Sequence, residues 1–316
     1  MCIVIRFLFV AAILNLRRNF KKMNLNKLSN RTKGIIFIIL SAFGFAMMSA
    51  FVKLAGDIPS FQKTFFRNLV SLFVALVIII KHKGSFFGKK ENQKVLIMRS
   101  TFGTLGIVFN YYAIDRLVLS DANMLNKLSP FFAIIFSALF LKEKIKPNQM
   151  IALIVAFIGM LFVVKPSFDF TVIPAFAGVL GGISAAAAYT CVRALSGKES
   201  PDTIVFYFSL FSTIAVSPFM IATFTPMKIL QLLSLLCAGV FASIGQFGIT
   251  LAYKYAPAKE ISIFDYTNII FSAIISLFIF NVLPDKYSVL GYLIIFIAAL
   301  YMFIYNKKLD KSEVKK

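Results

Sequence analysis

The chain has 316 residues, of which 59% are hydrophobic and 15% charged, and a formal net charge of +21. That balance excludes a soluble globule, which needs more polar surface than this chain can supply. A nucleic-acid partner is excluded by where the charge sits: most Lys and Arg fall in short breaks between apolar runs, as in the loops of a membrane protein.

The first 33 residues form an N-terminal extension with a short apolar run interrupted by Arg6 and followed by a basic cluster. This run is short for a span and lacks a cleavage site, and Met23 offers a second start, so residues 1–33 are set apart from the fold. Ten spans follow, predicted at about 34–54, 60–81, 94–114, 119–141, 148–165, 173–195, 202–224, 228–253, 260–281 and 287–306, with a basic tail at 307–316. The expected fold class is therefore an all-α polytopic membrane protein with ten transmembrane helices. The breaks after the second, fourth and last spans are rich in lysine, for example Lys81, Lys83, Lys142, Lys144 and Lys307. The positive-inside rule then places both termini in the cytoplasm, which requires an even number of spans.

The two halves repeat each other. SAFGFAMMSAFVKL (Ser41–Leu54) resembles GGISAAAAYTCVRAL (Gly181–Leu195) at a shift of 140, placing Lys53 on Arg193 and Arg67 on Tyr207. Further on, YAIDRLVLSDANMLNKLSPFF aligns with LAYKYAPAKEISIFDYTNIIF at a shift of 139, placing Asn126 on Asp265 and Lys127 on Tyr266. With an odd number of spans per repeat the second copy enters the membrane from the opposite side. The halves, 34–165 and 173–306, are thus expected to be inverted five-helix repeats, the architecture of alternating access about a midplane site.

At DANMLNKLSPFFAIIFSALFLKEKIKPNQMIALIVAFIGMLFVVKP the chain resembles the drug/metabolite transporter superfamily with its EamA-type domains. Glu143 and Gly159 stand at that family's characteristic positions, and the second copy keeps Pro284, Asp285 and Gly291 but has Val282 in place of the glutamate. FIFNVLPDK with its flanks also looks like bacterial S-adenosylmethionine uptake carriers of the superfamily. The resemblance implies a carrier without fixing its substrate, because members move amino acids, nucleotide sugars, sugar phosphates and drugs.

Polar residues deep in a span are costly and face a bundle interior or cavity. Arg67, seven residues into the second span, is roughly 10 Å deep, and Lys127 is comparably placed in the fourth from the outer side. Both are expected to line a substrate cavity, with Lys127 holding a substrate group. Lys53 and Arg193, near span ends, either snorkel or meet substrate, and Arg99 is similarly open. Asp265, about a turn and a half from the cytoplasmic end of the ninth span, pairs with a base, binds a cation or carries a coupling proton. Pro130 either kinks the fourth span for packing or builds a polar notch with Asn123, Asn126 and Ser129. Tyr112, Tyr189, Tyr266 and Asn268 complete the expected substrate site, together with Asn110, Tyr111 and Gln246; Tyr111 and Tyr112 have an interfacial aromatic belt as their alternative.

Cys2, Cys191 and Cys237 show no metal or disulfide spacing, His82 sits in a basic loop, and no span carries a histidine. No cofactor and no catalysis are expected. The expected function is a secondary transporter that moves a small anionic or zwitterionic metabolite across the plasma membrane. Lipid and the small-molecule substrate are its partners, with protons as a candidate coupling ion, and the choice between monomer and homodimer is open. A cationic-metabolite or drug carrier built on Asp265, S-adenosylmethionine uptake included, and a membrane assembly protein are the rival readings.

Overall fold

The computed structural model describes residues 28–129, 131–132, 135–136, 147–165, 172–256 and 261–313. Its helices are α1 (Asn30–Leu54), α2 (Ser60–Lys81), α3 (Gln93–Arg116), α4 (Leu119–Asn126), α5 (Pro147–Val164), α6 (Ile173–Leu195), α7 (Pro201–Ala222), α8 (Ile229–Tyr255), α9 (Thr267–Ile275) and α10 (Lys286–Glu313). Among the described residues there is no strand, and seven helical segments are long and apolar enough to cross a membrane. The protein is a multi-pass membrane protein of helices. In lipid a helix is favoured because it satisfies its own backbone hydrogen bonds.

Local chemistry sets several helix ends. Ser29 caps α1 by accepting from the Thr32 amide, and Ser200 caps α7 by accepting from the Thr203 amide, with Pro201 in the first turn. Asp285 accepts from the amides of Tyr287 and Ser288 at the start of α10, both at 2.9 Å.

Two predicted spans differ from single helices. The fourth, expected over 119–141, is interrupted after Asn126 by a turn at Lys127–Leu128 and is helical again at Ser129, Phe131 and Phe132. Pro130 and Glu143 lie outside the described residues. The ninth, expected over 260–281, opens as a 3₁₀ turn (Ser262–Tyr266), continues as α9 and ends as a π segment (Ser276–Phe280). Both irregularities occur where polar side chains leave the helix surface for interior partners. At the far end, α10 runs on to Glu313, past the expected limit of 306.

The packing partners of one half exchange into those of the other. Helix α1 packs on α8 and α6 on α3; α2 meets α8 and α7 meets α3; α4 meets α6 and α9 meets α1. The pairs α2–α7, α4–α9 and α5–α10 map onto themselves. Small residues let the backbones approach, which is how helices gain dispersion energy when lipid offers no hydrophobic drive. A Cβ on Gly44 would stand 2.8 Å from the Gly245 nitrogen, and beside it the Ser41 hydroxyl donates to the Gly245 carbonyl at 2.7 Å. In α5–α10 a Cβ on Gly159 would fall 3.1 Å from the Gly291 carbonyl oxygen and 2.8 Å from Ile295. Gly159 and Gly291 are thus the contact point of that pair.

Polar links join the halves at both ends of the bundle. Glu199 accepts from the Lys89 amide at 2.8 Å and the Asn92 amide group at 2.7 Å, while Thr203 donates to the Ser85 carbonyl at 2.6 Å. Opposite, Gln62 donates to the Thr225 carbonyl at 2.8 Å and accepts from its amide at 2.9 Å. Large apolar side chains such as Phe73, Phe157, Ile214 and Ile297 remain exposed on the outer faces, where lipid covers them.

Candidate substrate site

Four cations among the described residues are buried: Lys63, Arg67, Arg99 and Lys127. Burying an unpaired charge is expensive, so their partners determine what each does. The Lys63 ammonium lies 2.5 Å from Asp115, linking α2 to α3. The Lys127 ammonium lies 2.6 Å from Asp265, with the side chains 7% and 10% exposed. Neither arginine has a carboxylate within ion-pair distance among the described residues.

Arg67 is fully buried on α2. Its Nη1 donates to Asn68, whose amide in turn donates to Ser212 on α7 at 2.6 Å. Its Nε and Nη2 have no hydrogen-bond partner among the described residues. Arg99, from α3, donates through Nη2 to Gln246 at 2.8 Å and lies flat over Phe208, 3.6 Å from the ring centroid. Its Nε and Nη1 are likewise without partners among the described residues. The Phe208 ring also lies 5.9 Å from the Arg67 guanidinium, so one aromatic side chain of α7 serves both cations.

These groups border a cavity of about 70 Å³ at the centre of the bundle, room for a few water molecules. Its wall combines Arg67, Arg99, Lys127 and Gln246 with the amides Asn110, Asn123, Asn126 and Asn268, Tyr111 and Tyr189 and apolar Phe45, Met48 and Ile107. Asn123 is held by Ser49, which donates to its Oδ1 at 3.1 Å, and by Ser272, which accepts from its Nδ2 at 2.9 Å. Asn268 donates to the Ala42 carbonyl at 2.8 Å. Asn123 and Asn268 are thereby fixed by helices of both halves, while the Oδ1 of Asn110 is buried without a partner among the described residues.

The structure sorts the expected site residues. Arg67, Asn123, Asn126, Lys127, Tyr189 and Asn268 border the cavity together. Tyr112 stands away from it, beneath the Arg116 guanidinium at 3.8 Å, where it serves as an aromatic platform for a charge at the helix end. Tyr266 is buried against Phe296 and donates its hydroxyl to the Lys127 carbonyl at 3.0 Å, so it shapes the turn behind the wall. Asp265 reaches the site through Lys127, and its Oδ1 is buried without a partner among the described residues.

Asp265, left open between a basic partner, a cation and a coupling proton, meets Lys127. Asp265 lies in the 3₁₀ turn that opens the ninth predicted span, and Lys127 in the turn that follows α4. Lys53, left between snorkelling and substrate, donates to the Leu117 carbonyl at the end of α3 at 2.5 Å, and Arg193 is exposed. Phe208 was missed because a phenylalanine among 37 carries no signal of its own.

The sequence profile of the EamA-like transporter family matches residues 32–165 and again 172–304. The chain is 31% identical over 270 residues to a pseudopaline exporter of Pseudomonas aeruginosa (strain UCBPP-PA14), covering 84% of this chain and 94% of that one. It is 26% identical over 281 residues to an S-adenosylmethionine uptake transporter of Rickettsia bellii (strain RML369-C), covering 89% and 96%. One crystal structure superposes with a TM-score of 0.65 at 13% sequence identity, covering 88% of this chain and 99% of the other, a likeness of fold alone. With two copies of the profile spanning most of its length, this chain belongs to the EamA-like transporter family, within the drug/metabolite transporter superfamily.

Proposed function

We propose that the protein is a secondary transporter that carries a small anionic or zwitterionic metabolite across the plasma membrane. Two inverted five-helix repeats, with both termini cytoplasmic, alternate access to the central cavity. The observation that carries the substrate reading is the pair of buried guanidiniums, Arg67 and Arg99, whose free N–H groups border the cavity with no carboxylate in ion-pair contact among the described residues. A substrate carboxylate or phosphate supplies the missing partner with charge-assisted hydrogen bonds. The exchange of packing partners between halves and the two-fold match to the family profile support the repeats. Lysine-rich loops support the orientation.

The zwitterionic part of the reading rests on the unpartnered Oδ1 of Asp265, which lies behind the cavity-lining Lys127 and lacks the kind of partner that a substrate ammonium would supply. The Lys127–Asp265 contact weighs against a carrier of purely cationic solutes, because that carboxylate is already matched by an internal cation. The pseudopaline exporter and the S-adenosylmethionine uptake transporter are named for opposite directions of movement, so direction is not carried over from them.

The test is uptake and counterflow in reconstituted vesicles, with panels of anions, zwitterions and cations and with and without an imposed pH gradient. Anions or zwitterions should cross faster than through protein-free lipid, and Arg67→Gln should abolish that excess. Transport restricted to cations would refute the proposal, and the pH-gradient arm decides proton coupling.

A further inference from the structure

The two arginines offer different donor sets. In a guanidinium, Nε and Nη2 share one edge and form the side-on fork that matches a carboxylate or phosphate bidentately. Arg67 spends Nη1 on Asn68 and has the buried Tyr111 hydroxyl beside it, while its Nε and Nη2 make no hydrogen bond of good geometry among the described residues. Arg99 spends one Nη2 hydrogen on Gln246 and keeps Nε and Nη1 without partners among the described residues, so part of its donor set is already committed inside the protein. With its face on Phe208, Arg99 can receive an acidic group only at its edge.

The Lys127–Asp265 pair is electrically neutral as a unit. The hydroxyls of Tyr111 and Tyr189 are the ionisable groups beside Arg67, and Tyr189 and the Cys191 thiol stand beside Arg99; none of the three is mainly anionic near neutral pH. The cavity therefore holds two uncompensated positive charges that repel each other. A monoanion removes one and leaves the other buried.

Resting on the anion reading above, we propose that the ligand is a compact dianion, one acidic group held edge-on by Arg67 and the second by Arg99. Dicarboxylates and phosphate monoesters share this chemistry. All the unmatched charge comes from α2 and α3, so selection by charge number resides in the first half of the chain.

The test is ligand-induced stabilisation and direct binding on the purified full chain in lipid nanodiscs. Succinate, aspartate and glycerol 3-phosphate are compared with butyrate, which has one carboxylate, and with a permanent dianion, ethanedisulfonate. Succinate or glycerol 3-phosphate should bind at least about tenfold more tightly than butyrate, and whichever leads distinguishes dicarboxylate from phosphate ester. Arg67→Lys keeps the charge and loses the fork, so it should weaken binding by about tenfold or more. Arg99→Gln should bring the dianion-to-monoanion ratio close to one. Should either variant fold poorly, the wild type still decides: succinate affinity should fall between about pH 7.5 and about pH 4.5 as the ligand gains a proton, while ethanedisulfonate affinity holds. Butyrate binding as well as succinate would overturn the dianion and leave anion transport standing. Binding of cations alone would overturn both, and failure of succinate, glycerol 3-phosphate and ethanedisulfonate all to bind would overturn the inference.

Discussion

Replacing Lys127 with methionine should destabilise the protein, and replacing Asp265 as well should restore most of what is lost. The two side chains meet at 2.6 Å, with only 7% and 10% of their surfaces exposed. Removing one member of a pair buried to this degree leaves the other charge uncompensated, at about 3–5 kcal/mol. Asp265 is poorly placed to recover, since its Oδ1 already lacks a partner among the described residues and its Oδ2 would lose the ammonium. Replacing both removes the desolvation cost of each, and apolar substitutes for buried pairs are often close to neutral. Lys127→Met, Asp265→Leu and the double variant complete the cycle. Thermal unfolding in one detergent gives the rank order, with each single variant several degrees below wild type and the double variant above both. If Lys127→Met melts with wild type, or the double variant melts no higher than the less stable single, the pair does not stabilise the bundle as argued.

Two other predictions concern α5 and α10. Gly159→Leu should sharply lower the yield of monodisperse protein on size exclusion, because its Cβ would already stand 2.9 Å from Ile294 and 3.1 Å from the Gly291 carbonyl oxygen, and overpacking of this kind costs about 1–3 kcal/mol or more. In the exposed turn before α10, Asp285 is held below its ordinary pKa of 3.8, first by the Lys165 side chain and then by the Ser288 amide. A carboxylate whose folded value is depressed contributes stability at neutral pH that disappears as pH falls through that value. The melting-temperature gap between wild type and Asp285→Asn should therefore be present near neutrality and close below about pH 4.

Much of the architecture was legible in the sequence because lipid enforces length and hydropathy on each helix. The starts at Ser60 and Ile173 coincide with the structure for that reason, and Arg67 was recognisable by depth alone. Partnership was not legible. Lys127 and Asp265 stand 138 positions apart, and only the fold shows that they neutralise each other. Arg99 looked ambiguous one turn inside its helix, yet it is 2% exposed and turned onto Phe208. Tyr111 and Tyr112 are adjacent, but a helix turns successive residues to different faces: the first borders the cavity and the second sits under Arg116. The break at Lys127 lies three residues before Pro130, where a kink or polar notch was expected, but the 3₁₀ opening over Ser262–Tyr266 was not legible, because hydropathy is insensitive to a local change of hydrogen-bond register.

The one-sided placement of Arg67 and Arg99 bears on how a membrane potential would act on the transport cycle. A unit charge carried through the full field is worth about 2.3 kcal/mol per 100 mV. In the proposed cycle the empty carrier reorients with two unmatched positive charges, whereas the carrier holding a dianion reorients with those charges cancelled. Voltage then acts on the return of the empty protein and leaves the loaded step nearly untouched. Through these two guanidiniums, the resting potential of the cell would set how fast the carrier resets.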